Sequence, residues 1–182
     1  MPVASGEPVG PFPEGADPVE YDKLRRRVLW KFPSGLYVIG SRSADGTEQN
    51  LMTANLVTQV SFSPKLVGVS VEDNAVTHRL IADGQAFTVN VLDREDRAIV
   101  RKFTKPVEVE GSAANGFAFH AAPMTGGPVL DQALAYVDCR LWQSVEVGTS
   151  TFFIGEVVDA GFQRDEDTDV LRMEDTRMNY GG

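Results

Sequence analysis

Hydrophobic and polar side chains alternate along most of the chain after residue 35, which is the pattern of antiparallel strands with one buried face. Residues 133–147 give the clearest example, because Ala, Val, Cys and Leu side chains share one face while Asp, Arg, Ser and Glu side chains share the other. Four further segments show the same alternation or a short apolar run: residues 36–39, 65–72, 87–92 and 151–158. The pattern predicts an antiparallel sheet with one face against the core.

The segment before these strands has the spacing of an amphipathic helix. Asp17 is placed to cap the first turn, Pro18 suits the first helical position, and Glu20 has the spacing that completes a capping box. Four apolar side chains fall on one face: Leu24, Val28, Leu29 and Phe32. We expect this helix to end near residues 33–35, where proline and glycine interrupt it.

Two shorter helices are expected between strands, at residues 75–82 and 94–103, the second after Asp93 as a candidate cap. Residues 111–130 are expected to form a long loop that contains one short strand. Because few strands are separated by a regular helix, the winding of a parallel sheet is not expected. The sequence predicts a mainly β protein, a single antiparallel barrel with two or three peripheral helices.

Composition narrows the class of protein. The chain has 182 residues, of which 42% are hydrophobic and 24% are charged, values typical of one globular domain. A formal net charge of −9 disfavours nucleic-acid binding, because an acidic surface repels phosphate backbones. No apolar run has the length of a membrane span, and the N-terminus lacks the basic and apolar regions of a secretory signal. The single cysteine, Cys139, excludes an internal disulfide framework, so we expect a cytoplasmic protein without a membrane partner.

Several common catalytic motifs are missing from the sequence. It contains no P-loop, no glycine-rich dinucleotide fingerprint after a strand, and no serine nucleophile elbow. His78 and His120 are the only histidines, and with one cysteine they do not form a recognisable zinc site. Cys139 lies on the apolar face of a predicted strand and is expected to be a core residue rather than a nucleophile. Two classes of protein remain: a protein that uses a metal-free cofactor, and a pure binding module.

A series of short motifs occurs in a defined order along the chain. They are FPSGLYVI at 32–39, NLMTAN at 50–55, QVSFSPKLV at 59–67, FTVNVL at 87–92, GPVL at 127–130 and GTSTFFIGEV at 148–157. Over roughly residues 24–160, these motifs make the chain similar to the flavin reductase-like family of FMN-binding split barrels. The resemblance implies an antiparallel split β-barrel that binds FMN, with FAD as the alternative, and takes electrons from NAD(P)H. It also implies a homodimer and an electron acceptor such as a partner oxygenase.

The resemblance places the flavin ring at the NLMTAN motif. It implies cofactor-binding roles for five of its residues: Asn50, Met52, Thr53, Ala54 and Asn55. Small side chains in this segment permit close approach of a ring, and its backbone amides can face the flavin N5 and pyrimidine edge, where charge develops on reduction. The alternative interpretation is an ordinary turn between strands, in which Thr, Ala and Asn are common.

The start of the second helix is the expected position of the cofactor phosphate, again through the resemblance. The candidate ligands are Ser70, Asn74 and Thr77. Hydroxyl and amide donors at a helix start suit a phosphate, and Lys102 could offset the neighbouring carboxylates Glu72 and Asp73. His78 is a candidate contact to the phosphate or the ribityl chain. The alternatives are helix capping by the residues before the helix, a surface lysine at 102, and a packing role for His78.

One position departs from the family pattern. Many members that use NAD(P)H have a histidine in the turn before the last long strand, where it is thought to seat the nicotinamide, whereas this chain has Ser150. Ser150 is therefore the candidate nicotinamide contact. No catalytic residue is assigned, because hydride transfer depends on placing nicotinamide C4 over flavin N5 more than on acid–base chemistry. The candidate functions are an NAD(P)H:flavin reductase, a tight FMN-binding electron-transfer protein without a nicotinamide site, and a split-barrel oxidase of a small phosphorylated amine.

The sequence divides into an arm, a domain and a tail. Residues 1–16, rich in Pro, Gly and Glu, are expected to be a flexible arm, either disordered or wrapped around a partner subunit. Residues 17–165 are the expected barrel domain, and residues 166–182 the C-terminal tail. The tail is rich in side chains that are common at interfaces: Arg172, Met173, Arg177, Met178 and Tyr180. Our hypothesis is that the tail packs against a partner subunit or covers the flavin.

Overall fold

A computed structural model of the chain describes residues 8–178, which form eleven strands and three α-helices. The helices are α1 (Pro18–Leu29), α2 (Val76–Gly84) and α3 (Arg97–Lys102). The strands are β1 (Tyr37–Arg42), β2 (Gln49–Ala54), β3 (Val57–Phe62), β4 (Lys65–Glu72), β5 (Ala86–Val91), β6 (Val109–Glu110), β7 (Ala113–Ala114), β8 (Phe117–Ala121), β9 (Pro128–Leu130), β10 (Ala135–Val147) and β11 (Ser150–Phe162). No helix in the described range is long and apolar enough to cross a bilayer.

Seven strands form one antiparallel sheet in the order β2-β1-β5-β10-β11-β4-β3. The two outer strands, β2 and β3, follow each other in the chain with only Asn55 and Leu56 between them. β2 pairs along β1, β3 pairs along β4, and the Ser70 amide donates to the Leu56 carbonyl at 3.0 Å. One almost continuous extended segment therefore pairs with both ends of the sheet and curls it into an incompletely closed barrel. The expected fold class, an antiparallel split β-barrel with peripheral helices, is confirmed.

Alternation predicts some strands better than others. β4 has the predicted bounds, with its valines towards the core. β5 is buried on both faces, so the prediction of a polar solvent face is wrong there: Thr88 and Asn90 are fully buried. The Thr88 hydroxyl donates to the Pro128 carbonyl at 2.6 Å, and the Asn90 side chain accepts from the Leu130 amide at 2.7 Å. Hydrogen bonds to β9 thus allow polar side chains to occupy the second buried face.

The far half of β10 also differs from the prediction. Residues 133–147 were expected to bury one continuous apolar face, but Val145 and Val147 are exposed. The ladder with β5 ends at Arg140, and the pairing with β11 shifts register twice, at 138/139 and between 141 and 143. Beyond this point β10 pairs only with β11, which pairs with β4 on its other side, so the alternation of β10 continues along a sheet edge without a core to cover it.

The first helix begins where the sequence predicts. The Asp17 carboxylate accepts from the Glu20 amide at 2.9 Å, which confirms the cap. The capping box is wrong, because the Glu20 carboxylate pairs with Lys23 at 2.7 Å instead of returning a bond to Asp17. The helix ends at Leu29, before the predicted 33–35. No α1 residue is buried by the described part of the chain, and the predicted apolar face stays exposed.

The N-terminal arm lies partly outside the described residues, since these begin at residue 8. Its described part packs on α1. The Phe12 ring meets Tyr21 edge to face at 6.4 Å, the Arg25 guanidinium lies 5.0 Å from the Phe12 ring centre, and Arg25 also donates to the Val9 carbonyl at 2.9 Å. The arm and α1 therefore form one unit. A role in wrapping a partner stays a prediction.

The two internal helices agree with the prediction to within a few residues. α2 buries Leu80 and Ile81. The Asp93 carboxylate accepts from the Glu95 amide at 2.9 Å and caps a short 3-10 turn that leads into α3. α3 buries Ile99 and Val100. The prediction of a long loop with one strand at 111–130 is wrong: this segment contains β7, β8 and β9, which with β6 form a second, four-stranded sheet.

The core has two parts, one on each face of the main sheet. The cluster inside the barrel includes Ile39, Val69, Phe87 and Phe153, and Ile81 of α2 packs into it. The cluster on the outer face of β1, β2 and β5 includes Leu51, Phe103 and Leu130, and α3 and the small sheet cover it. The predicted core residue Cys139 is confirmed inside the barrel, where burial and then the neighbouring Asp138 raise the pKa of its thiol to about 12. Such a thiol is a poor nucleophile at neutral pH.

The described part of the tail, up to Met178, packs on its own chain. The Leu171 amide donates to the Leu92 carbonyl at 2.9 Å and its carbonyl accepts from the Leu36 amide at 3.2 Å, so the tail bridges the end of β5 and the start of β1. Arg94 pairs with Asp175 at 2.7 Å. Met173 and Met178 lie against the outer core cluster. Tyr180 lies outside the described residues. The hypothesis that the tail packs against a partner subunit or covers the flavin stays a prediction.

Candidate functional site

The sequence-predicted site residues surround β2, the strand at which the barrel is split. One group lies at the start of α2, near the first residues of β2. The other group lies at the end of β2, next to α3. The hairpin between β10 and β11 reaches the first group, because the Asp73 amide donates to the Thr149 carbonyl at 3.1 Å and Ser150 lies opposite Glu72 in the ladder. The structure thus brings the nicotinamide candidate beside the phosphate candidates.

The α2 group contains Asn50, Asn74 and Thr77. The Asn50 amide group donates to the Thr77 hydroxyl at 2.8 Å, although the two residues are 27 positions apart. Thr77 is fully buried, Asn50 is half-buried, and Asn74 is exposed in the turn before the helix. Ala75 occupies the N-cap position and no side chain caps the helix, so the alternative of capping by Asp73 or Asn74 is not realised. The first turn of α2 therefore keeps amide donors for a ligand.

His78 takes part in a chain of three polar side chains. The Thr151 hydroxyl donates to Asp73 Oδ1 at 3.0 Å, and His78 Nε2 lies 2.9 Å from the same hydroxyl oxygen. Because that hydroxyl has a single proton, which Asp73 receives, His78 Nε2 must carry a proton and donate to Thr151. The imidazole also packs at 5.1 Å from the Phe153 ring. The packing role predicted as the alternative for His78 is therefore present, together with a fixed orientation of the ring.

Thr53 connects β2 to α3. Its hydroxyl donates to the Val100 carbonyl at 2.6 Å, and its amide donates to the Phe103 carbonyl at 3.0 Å. Both polar groups are thus engaged within the chain, and the cofactor-binding role of Thr53 stays a prediction. Thr53 holds the last turn of α3 against the edge of β2. This contact has no signature in the sequence, because its partners lie about fifty positions away.

The remaining β2 candidates line the inner side of the barrel mouth. Ala54 is buried opposite Tyr37 of β1, and Met52 packs against the inner core cluster. Asn55 is buried at the connection to β3. A narrow cleft beside Asn55 is lined by Trp30, Phe32, Met173 and Met178, from the end of α1 and from the tail. Ser70 lies two residues before the end of β4, half-buried, and its amide bonds to the same connection.

Lys102 lies at the C-terminal end of α3, where it lines an open cavity of about 660 Å³. Arg101 and Lys105 line the same cavity. No hydrogen bond or ion pair joins Lys102 to Ser70, Asn74 or Thr77 within residues 8–178. Charge compensation at the phosphate candidates by Lys102 therefore stays a prediction. Sequence reasoning missed Arg101 and Lys105, although the spacing of the three cations over 101–105 is visible in the sequence.

The donor set fits a phosphate-bearing flavin. Around the start of α2, the described side chains offer hydroxyl, amide and imidazole donors, and the Asp73 carboxylate is engaged by Thr151. Three cations follow on the far side of Thr53. No group of three or more metal-ligating side chains occurs between residues 8 and 178. His120 pairs with Asp131 at 2.6 Å on the surface.

Known proteins of one family are similar to this chain in sequence and fold. The chain matches the family model of the flavin reductase like domain over residues 29–182. It is 32% identical over 155 residues to an NADH-dependent FAD reductase of Streptomyces globisporus, covering 84% of this chain and 82% of that one. It is also 32% identical over 136 residues to the reductase component of a 4-nitrophenol 4-monooxygenase/4-nitrocatechol 2-monooxygenase of Rhodococcus opacus, covering 74% and 69% of the two chains.

A solved structure has the same fold. The NADH:FAD oxidoreductase of Streptomyces globisporus C-1027 superposes with a TM-score of 0.72 and 30% sequence identity. The match covers 89% of this chain and 93% of that chain. The likeness therefore extends over most of both chains.

Proposed function

The chain belongs to the flavin reductase-like family, and from that membership we propose that it is an NAD(P)H:flavin reductase that uses the open side of its barrel as the flavin site. The observation that carries the proposal is the convergence of Asn50, Thr77, His78 and Ser150 at the uncapped start of α2. Family membership makes the protein an oxidoreductase of flavins. The geometry supports our proposal of where the flavin and the nicotinamide meet.

We propose that the FMN moiety, which FMN and FAD share, lies along β2. The first turn of α2, with Asn74 and Thr77, would take the phosphate, and Met52, Ala54 and Asn55 would border the ring at the barrel mouth. A bound isoalloxazine would accept a hydride from the nicotinamide, which the Ser150 turn would orient. The chain's own contribution is to hold both groups, exclude water and place donors where charge develops. The proposal includes both NADH and NADPH as electron donors.

His78 has a positioning role in this proposal. Its Nε2 proton is held towards Thr151, so the ring presents Nδ1 away from that bond. The Phe153 ring and the Thr151 hydroxyl together fix the orientation of the imidazole. Because Thr151 directly follows Ser150, the imidazole lies close to the Ser150 turn. An imidazole on α2 therefore lies near the turn in which related proteins have a histidine. No residue is required to act as a general acid or base.

The exposed apolar face of α1 favours a homodimer. Val28, Leu29 and Phe32 are about half exposed or more, at 53%, 48% and 68%. A continuous apolar helical face is usually covered by a partner. The likeness to a reductase component favours a partner oxygenase as acceptor of the reduced flavin. A cytoplasmic location stays a prediction from the single, buried cysteine.

The substitution Asn50→Asp tests the phosphate position. The new carboxylate can still accept a bond from the Thr77 hydroxyl, so the local structure is retained, but it repels a phosphate bound at the start of α2. We expect FMN to bind about tenfold more weakly, or worse, while riboflavin, which lacks the phosphate, binds unchanged. Quenching of flavin fluorescence during titration measures both dissociation constants.

Gln49→Glu is the matched control, because Gln49 is the preceding residue of β2 and its side chain projects from the opposite face of the strand. It makes the same change of charge and should leave FMN binding nearly unchanged. If both variants weaken FMN binding equally, the loss of affinity comes from the change in overall charge. If Asn50→Asp binds FMN as well as the unmodified protein does, the phosphate does not lie at α2.

A further inference from the structure

The C-terminal tail meets the proposed ring position at the barrel mouth. Met173 and Met178 line the cleft beside Asn55, together with Trp30 and Phe32 from the end of α1. The cleft has a volume of about 40 Å³, which is room for water but not for a flavin ring. The tail therefore closes the side of Asn55 on which this cleft lies.

The tail is fixed to the barrel just before it reaches the cleft. Leu171 is buried, and its backbone bonds to Leu92 on one side and to Leu36 on the other. The Met173 amide donates to the Ser34 carbonyl at 3.0 Å. Because these backbone bonds hold the tail on two sides, a movement of its end would begin after this anchored stretch.

Residues 174–178, which follow the anchored stretch, are attached to the barrel through a side chain. The amides of Thr176 and Met178 donate to acceptors within the tail itself, at 3.1 and 3.2 Å. The Asp175 side chain, which is only 8% exposed, places its Oδ1 at 2.8 Å from Nε and 2.7 Å from Nη2 of Arg94. Arg94 lies in the 3-10 turn after β5, so this ion pair joins the end of the tail to the barrel.

We propose that residues 174–178 form a lid beside the ring end of the flavin site, and that the Arg94–Asp175 ion pair keeps this lid closed and sets the rate of flavin exchange. The inference rests on the proposed function, because the ring position at Asn55 belongs to it. Arg94 and Asp175 are positioning residues in this account, since they hold Met178 in the cleft without touching the flavin. A reductase that passes free reduced flavin to a partner must release it in every cycle, and lid opening commonly limits such release.

The test is Asp175→Asn in the full chain, with Asp169→Asn as the matched control. Both substitutions remove one carboxylate that faces Arg94, but Asp169 is 76% exposed and its oxygen lies 3.4 Å from the guanidinium. Both also leave in place the bond from Arg97 to the Asp175 carbonyl. The rate of FMN dissociation is measured by stopped flow as flavin fluorescence recovers after rapid dilution, and titration gives the dissociation constant. Thermal unfolding of the three proteins checks that the fold is retained.

We expect FMN to leave the Asp175→Asn protein about fivefold faster and to enter it faster by a similar factor, with a dissociation constant changed by less than about twofold. The reason is that the ion pair hinders entry and exit alike and makes no contact with the flavin. Asp169→Asn should keep both rates. Equal rates in the two variants would overturn the proposal. Faster dissociation with an equally weakened dissociation constant would also overturn it, because Met178 would then be a wall of the site and not a lid.

Hydrogen exchange measures the lid without any flavin. In Asp175→Asn, the backbone amides of residues 174–178 should exchange about fivefold faster or more, while the amide of Leu171 keeps its protection. Exchange equal to that of Asp169→Asn would overturn the lid. Failure of the proposed function has a different result: the unmodified protein would bind no FMN or would not reduce it with NADH or NADPH, whereas exchange at residues 174–178 would still respond to Asp175→Asn.

Discussion

Replacement of Phe153 by alanine should lower the free energy of unfolding by about 3–5 kcal/mol, the range for truncating a buried aromatic residue. Phe153 is only 2% exposed and belongs to the cluster that fills the barrel. The loss should reach the site as well, because the ring packs against the imidazole of His78. Urea unfolding followed by tryptophan fluorescence measures the change in stability, and FMN titration measures the change in binding.

Phe62→Ala is the control for this experiment. It removes the same ring from the end of β3, where Phe62 is 83% exposed. Its effect on stability should stay within about 0.5 kcal/mol, as for most surface substitutions. A Phe153→Ala protein as stable as Phe62→Ala would contradict the position of the inner core.

Replacement of Asp138 by alanine should have the second largest effect, also several kcal/mol. The carboxylate is fully buried in β10 and accepts from the amides of Met124 and Thr125, at 3.0 and 3.1 Å, and from the Thr125 hydroxyl at 2.5 Å. Each of these part-buried donors costs about 1–3 kcal/mol when it is left unpaired and out of reach of water. The turn that these bonds hold leads into β9, which covers the second face of β5. We therefore expect a large shift of the urea midpoint.

Asp131→Ala is the matched control for the loss of a carboxylate. Asp131 pairs with His120 on the surface, and both side chains are about half exposed. Exposed ion pairs typically contribute about 0–1 kcal/mol, so this variant should unfold close to the unmodified protein. If Asp138→Ala were equally mild, water or other groups would have to satisfy the turn amides, and the buried network described above would be incorrect.

The predictions that succeeded rest on local patterns. β4 has the predicted bounds because its valines face the core while its other face carries small or polar side chains, so the alternation of its sequence matches its surroundings. Asp17 caps α1 as expected, and Asp93 caps the 3-10 turn at the start of the expected second short helix, because capping depends on residues two or three positions away. The family motifs occupy the strands and turns that carry the candidate site.

The predictions that failed depend on distant parts of the chain. β5 has buried polar side chains because β9 lies over it, and no local pattern reports that cover. The strands within 111–130 are too short to establish alternation. The end of α1 was placed too late because Phe32 continues the apolar spacing beyond the last helical turn.

The site was predicted as a list of residues but not as contacts. Asn50 meets Thr77 across 27 positions, and His78 meets Thr151 across 73. Such pairs depend on the curvature of the sheet, which brings β2, α2 and β11 to one end of the barrel. Thr53 is a further case, because its hydroxyl and amide bond to carbonyls of Val100 and Phe103, about fifty positions away, and no local pattern reports these bonds.

The most direct test of the central claim is an anaerobic stopped-flow experiment on the purified protein with bound FMN or FAD, mixed with NADH or NADPH. Loss of flavin absorbance reports reduction. We expect rapid bleaching with at least one nucleotide, much faster than for the same flavin without protein, and slower bleaching for FMN in Asn50→Asp below saturation. If the flavin binds tightly but neither nucleotide bleaches it, the protein is not an NAD(P)H:flavin reductase, and a flavoprotein that receives electrons from another protein would replace that function.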